Sequence, residues 1–113
     1  MAFDVITPIS MGVGEVAIAP LRTTLRTTDS NTRDLVKTID IANNGTLSAI
    51  VDVYLVPSGE VAGDTNVLIP NVTISANSMF QWEGVQVLNE GDSIQASSTT
   101  LAVCVRVSGG NAV

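Results

Sequence analysis

The sequence predicts an all-β protein: an antiparallel β-sandwich of the jelly-roll or immunoglobulin-like kind, with an extended N-terminal arm. Three observations lead to this fold class. Several short segments alternate apolar and polar residues with a period of two. Turn-forming residues separate these segments. No stretch keeps a helical period over about ten residues. The 113 residues suffice for one domain with one core.

The first twenty residues combine apolar side chains with residues that break regular structure. Pro8, Gly12, Gly14 and Pro20 are expected to prevent one continuous ladder strand. Residues 1–20 then form one more edge segment of the chain's own sandwich, an arm that docks on a neighbouring subunit, or a disordered tail. We take the arm forward as the hypothesis for partner binding. The residues expected to contact a partner are Phe3, Val5, Ile6, Ile9, Arg22 and Arg26.

Residues 21–113 are expected to form the sandwich itself. Alternation is found, in chain order, in residues 38–41, 48–56, 80–87 and 93–97 and again in residues 101–107. The residues predicted to share one core are Val51, Val53, Leu55, Ile94, Val103 and Val105.

Turn signals lie where these strands should end. The Asn44-Gly45 step favours a tight turn because both residue types tolerate positive φ. Further turn-forming clusters occupy residues 57–59, 70–71, 89–92 and 109–111. Their spacing is typical of a sandwich and not of an α/β fold.

Composition argues against most kinds of chemistry. The net charge is −6, with one Lys, which disfavours nucleic-acid binding. No His is present, so the usual general base and metal ligand are missing, and Cys104 is the single cysteine. The carboxylates Asp52, Glu83 and Asp92 are interpreted as solvated charges. We therefore expect no enzyme activity, no catalytic residue, no cofactor and no metal site.

Two aromatic residues leave an alternative open. Trp82 and Tyr54 could stack on sugar rings in a glycan-binding module, although a Trp in a small sandwich more often fills the core. Four of the five basic residues lie between Arg22 and Lys37, which is read either as a solvated surface or as a patch that meets an acidic partner.

The N-terminus lacks the features of an export signal, and no apolar run approaches the ~20 residues of a membrane helix. We expect synthesis in the cytoplasm of a bacterial host and no membrane association.

The order of motifs resembles a small β-sandwich domain that recurs among virion structural proteins of tailed bacteriophages. The similarity extends over residues 21–110, nearly the whole chain. It is carried by residues 25–28, 31–39, 41–45, 53–59, 87–96 and 105–109.

The resemblance implies a scaffold without catalytic residues, found in heads and tails of virions. On that basis we expect a capsid decoration (cement) protein on the virion surface, bridging neighbouring major capsid subunits. Its partners would be the major capsid protein or other virion proteins, and it would form a homo-oligomer, with a trimer as our hypothesis. A neck or tail component, or a glycan-binding module, is the alternative.

Overall fold

The computed structural model describes residues 6–15, 17–18, 22–100 and 102–112. All regular secondary structure in this part of the chain is β, as the sequence predicts. The described residues form nine strands: β1 (Ile6–Glu15), β2 (Ala17–Ile18), β3 (Thr23–Thr27), β4 (Arg33–Asn43), β5 (Ala49–Val56), β6 (Val67–Ile74), β7 (Ser78–Leu88), β8 (Ser93–Ser98) and β9 (Val103–Ala112).

The strands build two sheets. Sheet A has the order β1-β9-β4-β7, and all of its pairs are antiparallel. Sheet B has the order β2-β8-β5-β6, and β3 pairs antiparallel with the same strand, β8, that holds β2. Since β2 and β3 follow one another along β8, they occupy one position in sheet B.

The pairing pattern is nested. The first strand pairs with the last (β1 with β9), the second position with the next to last (β3 with β8), and so inward through β4 with β7 to β5 with β6. Nested pairs shared between two four-position sheets are the jelly-roll arrangement. Of the two sandwich types that the sequence allows, the structure is therefore the jelly roll.

The core lies between the sheets and confirms the predicted residues. Val51, Val53, Ile94, Val103 and Val105 are fully buried, and Leu55 is partly buried against them. Burial of each such side chain contributes about 1.5–3 kcal/mol, which makes this layer the main stabilising element.

The N-terminal segment departs from the expected arm. Ile6–Glu15 pairs with β9 from Ile6 opposite Ala112 to Glu15 opposite Cys104, with one register shift between Ser10 and Gly12. The described residues of this segment form two strands in different sheets and not one continuous strand, although Pro8 lies inside β1. A proline is tolerated because β1 is an edge strand, where one side of the backbone needs no partner. Residues 6–15 thus form an edge strand of the chain's own sandwich, and partner binding by residues 1–20 stays a prediction.

Candidate functional site

A buried carboxylate joins the two sheets at one end of the sandwich. Asp34 in β4 has no exposed side-chain surface. It accepts hydrogen bonds from Arg26 Nε at 2.8 Å and Arg26 Nη2 at 3.0 Å, from Thr28 Oγ1 at 2.8 Å and from Asn111 Nδ2 at 2.9 Å. Arg26 belongs to β3 of sheet B, whereas Asp34 and Asn111 belong to sheet A. We call these four residues the Asp34 cluster.

The Asp34 cluster is held in its charged form. Burial by itself raises the pKa of Asp34, but the hydrogen bonds from Arg26, Asn111 and Thr28 together with the charge of Arg26 hold it below its usual value. The hydrogen bond to Asp34 likewise raises the pKa of Arg26. A bidentate Arg–carboxylate pair with two further donors satisfies the buried charge, as a buried ion requires.

This geometry changes the interpretation of the residues predicted to bind a partner. The Arg26 guanidinium is committed to Asp34 and lies 3.9 Å from an Asp29 oxygen, so its charge is neutralised within the chain. Arg22 lies with its guanidinium carbon 5.0 Å from the centre of the Tyr54 ring, which is cation–π geometry. Both arginines therefore have contacts inside the fold that no local sequence pattern predicts.

The remaining predicted partner residues lie in the N-terminal segment. The backbone of Ile6 and Ile9 belongs to β1, opposite Ala112 and Gly109. Phe3 and Val5 lie outside the described residues, so partner binding through them stays a prediction.

A second polar cluster joins the sheets at the opposite end of β4. The side chain of Asn43 is 1% exposed. Its Nδ2 donates to the carbonyls of Leu47 at 2.8 Å and Ile74 at 3.0 Å, and its Oδ1 accepts from the amide of Gly45 at 2.9 Å. One amide side chain thereby fixes the β4–β5 loop and the end of β6. The sequence predicts a turn at the next two residues, Asn44 and Gly45, but gives no sign of these contacts of Asn43.

Two of the three carboxylates interpreted as solvated charges, Asp52 and Asp92, accept hydrogen bonds from backbone amides. Asp92 accepts from the amides of Ser58 and Asn89, each at 2.9 Å, and Asp52 accepts from the amide of Asn71 at 2.7 Å. Glu83 is exposed on β7. The structure does not bring these three carboxylates together through any shared hydrogen bond. No group of three or more side chains suited to a metal ion is found in the described residues.

Neither aromatic residue considered for glycan stacking offers an open ring. Tyr54 is 8% exposed and packs with Val56 and Val67 in a small apolar cluster on the outer face of sheet B, with Arg22 over its ring. Trp82 is partly buried against the core. A methyl group added at Gly84 would lie 2.9 Å from Trp82 Cζ2, which shows how closely the indole covers that glycine. The geometry favours packing roles for both rings.

The exposed large apolar side chains are concentrated on one strand. Met79, Val85 and Val87 of β7 are 61%, 56% and 49% exposed, and β7 is an edge of sheet A. Leu47 and Val61 are exposed in separate loops. The β7 edge is therefore the surface of the described chain that most resembles an interface.

Within the described residues, no helix is long and apolar enough to span a membrane.

Comparisons with known proteins give a structural likeness. No family model matches the sequence, and no curated protein is significantly similar to it. Two chains of solved structures match. One of them, a chain of the T13 IBDV viral particle, aligns with a TM-score of 0.53 and 9% identity, over 96% of this chain and 31% of that chain. This protein thus spans 31% of the chain that it matches and is similar in fold to that part of a viral particle.

Proposed function

We propose that the protein is a structural component of a virion. The observation that carries the proposal is the jelly roll, which aligns over 96% of this chain with part of a viral particle chain. Viral capsid domains are among the proteins that use this fold, although lectins and cupins use it as well. The resemblance of residues 21–110 to virion domains of tailed bacteriophages supports the same class from the sequence.

Within that class we infer a capsid decoration protein that bridges neighbouring major capsid subunits of a tailed bacteriophage. Such a protein acts by adding interface area between subunits, and a specific interface of standard size buries roughly 1,600 Å². The Asp34 cluster and Asn43 support this role because they fix both ends of the sandwich. A rigid body loses little conformational entropy on binding, so more of the contact energy remains to stabilise the shell.

The first test is a quantitative count of the protein in purified virions by mass spectrometry with isotope-labelled standards. Copy numbers comparable with those of the major capsid protein support decoration. A few copies per particle, as expected for one ring of subunits, would indicate a neck or tail component instead of a decoration protein. Absence from the particle would contradict both roles.

The second test compares shells with and without the protein. Particles produced without it should lose their DNA at a lower temperature than complete particles, and adding the purified protein back should restore the difference. If the two preparations release their DNA at the same temperature, the bridging role is contradicted, whereas a location in the virion is not.

A further inference from the structure

One dipeptide of the chain is chemically labile. An asparagine that precedes a glycine can lose ammonia, because glycine has no side chain that hinders its backbone nitrogen from reaching the asparagine amide. Of all the asparagines in the sequence, Asn44 alone precedes a glycine, Gly45. Asn44 lies in the loop between β4 and β5 and is exposed to solvent. The sequence therefore has one favoured site for this reaction.

The glycine of this dipeptide is required by packing. The φ of Gly45 is not positive, in contrast to those of Gly59 and Gly91. A methyl group added at Gly45 would lie 3.0 Å from Cβ of Ala102 and 3.2 Å from Oδ1 of Asn43, closer than ordinary van der Waals contact. The approach of the loop between β8 and β9 thus requires a glycine after Asn44, and the labile step remains.

The nitrogen that must react is occupied in the folded chain. The N–H of Gly45 donates to Oδ1 of Asn43 at 2.9 Å. The buried amide of Asn43 is itself held, because its Nδ2 donates to the carbonyls of Leu47 at 2.8 Å, Ile74 at 3.0 Å and Ser75 at 3.3 Å. Its oxygen therefore cannot turn away from Gly45 unless these bonds break.

We propose that Asn44 is a site of spontaneous deamidation and that the hydrogen bond from Gly45 to Asn43 sets its rate. The nitrogen of Gly45 gives up its proton to water and bonds to Cγ of Asn44. The bond from Cγ to Nδ2 breaks, and ammonia leaves with a proton from water. A second water opens the resulting succinimide at either carbonyl, which yields aspartate or isoaspartate.

The hydrogen bond to Asn43 slows the first step. Gly45 must release Asn43 before its nitrogen can lose the proton, so the free energy of that opening adds to the barrier. One hydrogen bond of this kind corresponds to roughly a ten-fold change in rate. Isoaspartate adds a methylene to the backbone and moves Gly45 away from Asn43, so the modification is not reversed by refolding. The inference concerns the purified protein alone and stands or fails independently of the virion role.

The neighbouring asparagine is closed to the same reaction. The side chain of Asn43 is buried. The nitrogen that would attack it belongs to Asn44 and donates to the carbonyl of Ala102 at 3.0 Å. We therefore expect the folded chain to react at Asn44 and to keep Asn43 intact.

Peptide mapping by mass spectrometry measures the reaction in the full-length protein. The wild type is incubated in mildly alkaline buffer, folded and, separately, unfolded in guanidinium chloride. Asn44 should convert to aspartate and isoaspartate in the unfolded chain, and at least about ten-fold more slowly in the folded chain. Equal rates in the two states, or no conversion of Asn44 in the unfolded chain, would overturn the proposal.

A substitution separates the role of Asn43 from general stability. Asn43→Ala removes the acceptor of the Gly45 N–H and should raise the rate at Asn44 in the folded chain roughly ten-fold. The matched control is Val36→Ala, which lowers stability near the opposite end of β4 and leaves the loop unchanged. Under conditions in which both variants are folded, the control should react like the wild type. No acceleration in Asn43→Ala, or the same acceleration in Val36→Ala, contradicts the role of Asn43.

Hydrogen exchange followed by NMR tests the hydrogen bond in the wild type itself, so this test does not depend on the folding of any variant. The amide of Gly45 should exchange at least about ten-fold more slowly in the folded chain than in the unfolded chain. In Asn43→Ala the Gly45 amide should lose this protection, whereas that of Ile41, inside β4, should keep it. A Gly45 amide that exchanges in the folded wild type as fast as in the unfolded chain would overturn the proposal.

Discussion

Asp34 and Asn43 lie at the two ends of the same strand, β4, and each of them joins sheet A to sheet B. Asp34 is the second residue of β4 and Asn43 the last, so the two side chains stand about 30 Å apart along the sandwich. Asp34 binds Arg26 of β3, whereas Asn43 binds the carbonyl of Ile74 at the end of β6. The apolar core between them sets the spacing between the two sheets. The two polar contacts restrict sliding of one sheet over the other.

Removal of the Asp34 charge should be strongly destabilising. Asp34→Asn leaves Arg26 without its buried counter-ion and sets an amide against four donor atoms of three residues, which for a buried pair costs about 3–5 kcal/mol. Urea unfolding measures the loss. Asp64→Asn, at an exposed loop position, is the control and should change stability by less than about 0.5 kcal/mol. Equal effects of the two substitutions would show that the Asp34 cluster contributes nothing specific.

Stability should fall in acid because of the same residue. The pKa of Asp34 is lower in the folded chain than in the unfolded chain, where an Asp titrates at about 3.9. The unfolded state therefore takes up the proton first, so the contribution of Asp34 is present above about pH 4 and is lost as the pH falls through the folded pKa. Urea midpoints measured from pH 6 to pH 2 should fall less steeply in Asp34→Asn than in the wild type. Parallel profiles would contradict the assignment.

A single substitution can remove the hydrogen-bond donors of the Asn43 side chain and keep an acceptor. Asn43→Asp keeps an acceptor for the amide of Gly45 but loses both N–H groups that bind the carbonyls of Leu47 and Ile74. Unsatisfied buried groups cost about 1–3 kcal/mol each, and a buried unpaired carboxylate adds to that. The neighbouring exposed residue provides the control, Asn44→Asp, which should be close to neutral. Thermal unfolding at pH 7 compares the two.

Truncation separates the two possible roles of the N-terminal segment. Deleting residues 1–15 removes β1 and exposes the edge of β9 but spares β2, so we expect a clear loss of stability. Deleting residues 1–5 alone spares every residue of β1 and should leave stability nearly unchanged. If Phe3 and Val5 bind a partner, the shorter deletion should still reduce incorporation into particles. Full stability after the longer deletion would contradict the place of β1 in sheet A.

The sequence predicts the strands whose two faces differ in polarity, and it predicts little beyond them. β5 and β9 alternate because one face of each points into the core, so Val51, Val53, Val103 and Val105 could be recognised. β1 was one of the alternatives for residues 1–20, and local rules could not select it because they do not reveal that a segment with Pro8 will lie at an edge. The two clusters were also hidden, because each includes a partner that lies far along the chain. Asn111 is 77 residues from Asp34, and no local pattern reports such a contact.

The central claim is that this jelly roll is part of a virion and bridges capsid subunits. A cryo-electron microscopy difference map, between complete particles and particles produced without the protein, tests it most directly. The account predicts density of one jelly roll on the outer surface of the shell, at the junctions between neighbouring major capsid subunits. Identical maps, or difference density confined to the interior of the particle, would contradict it.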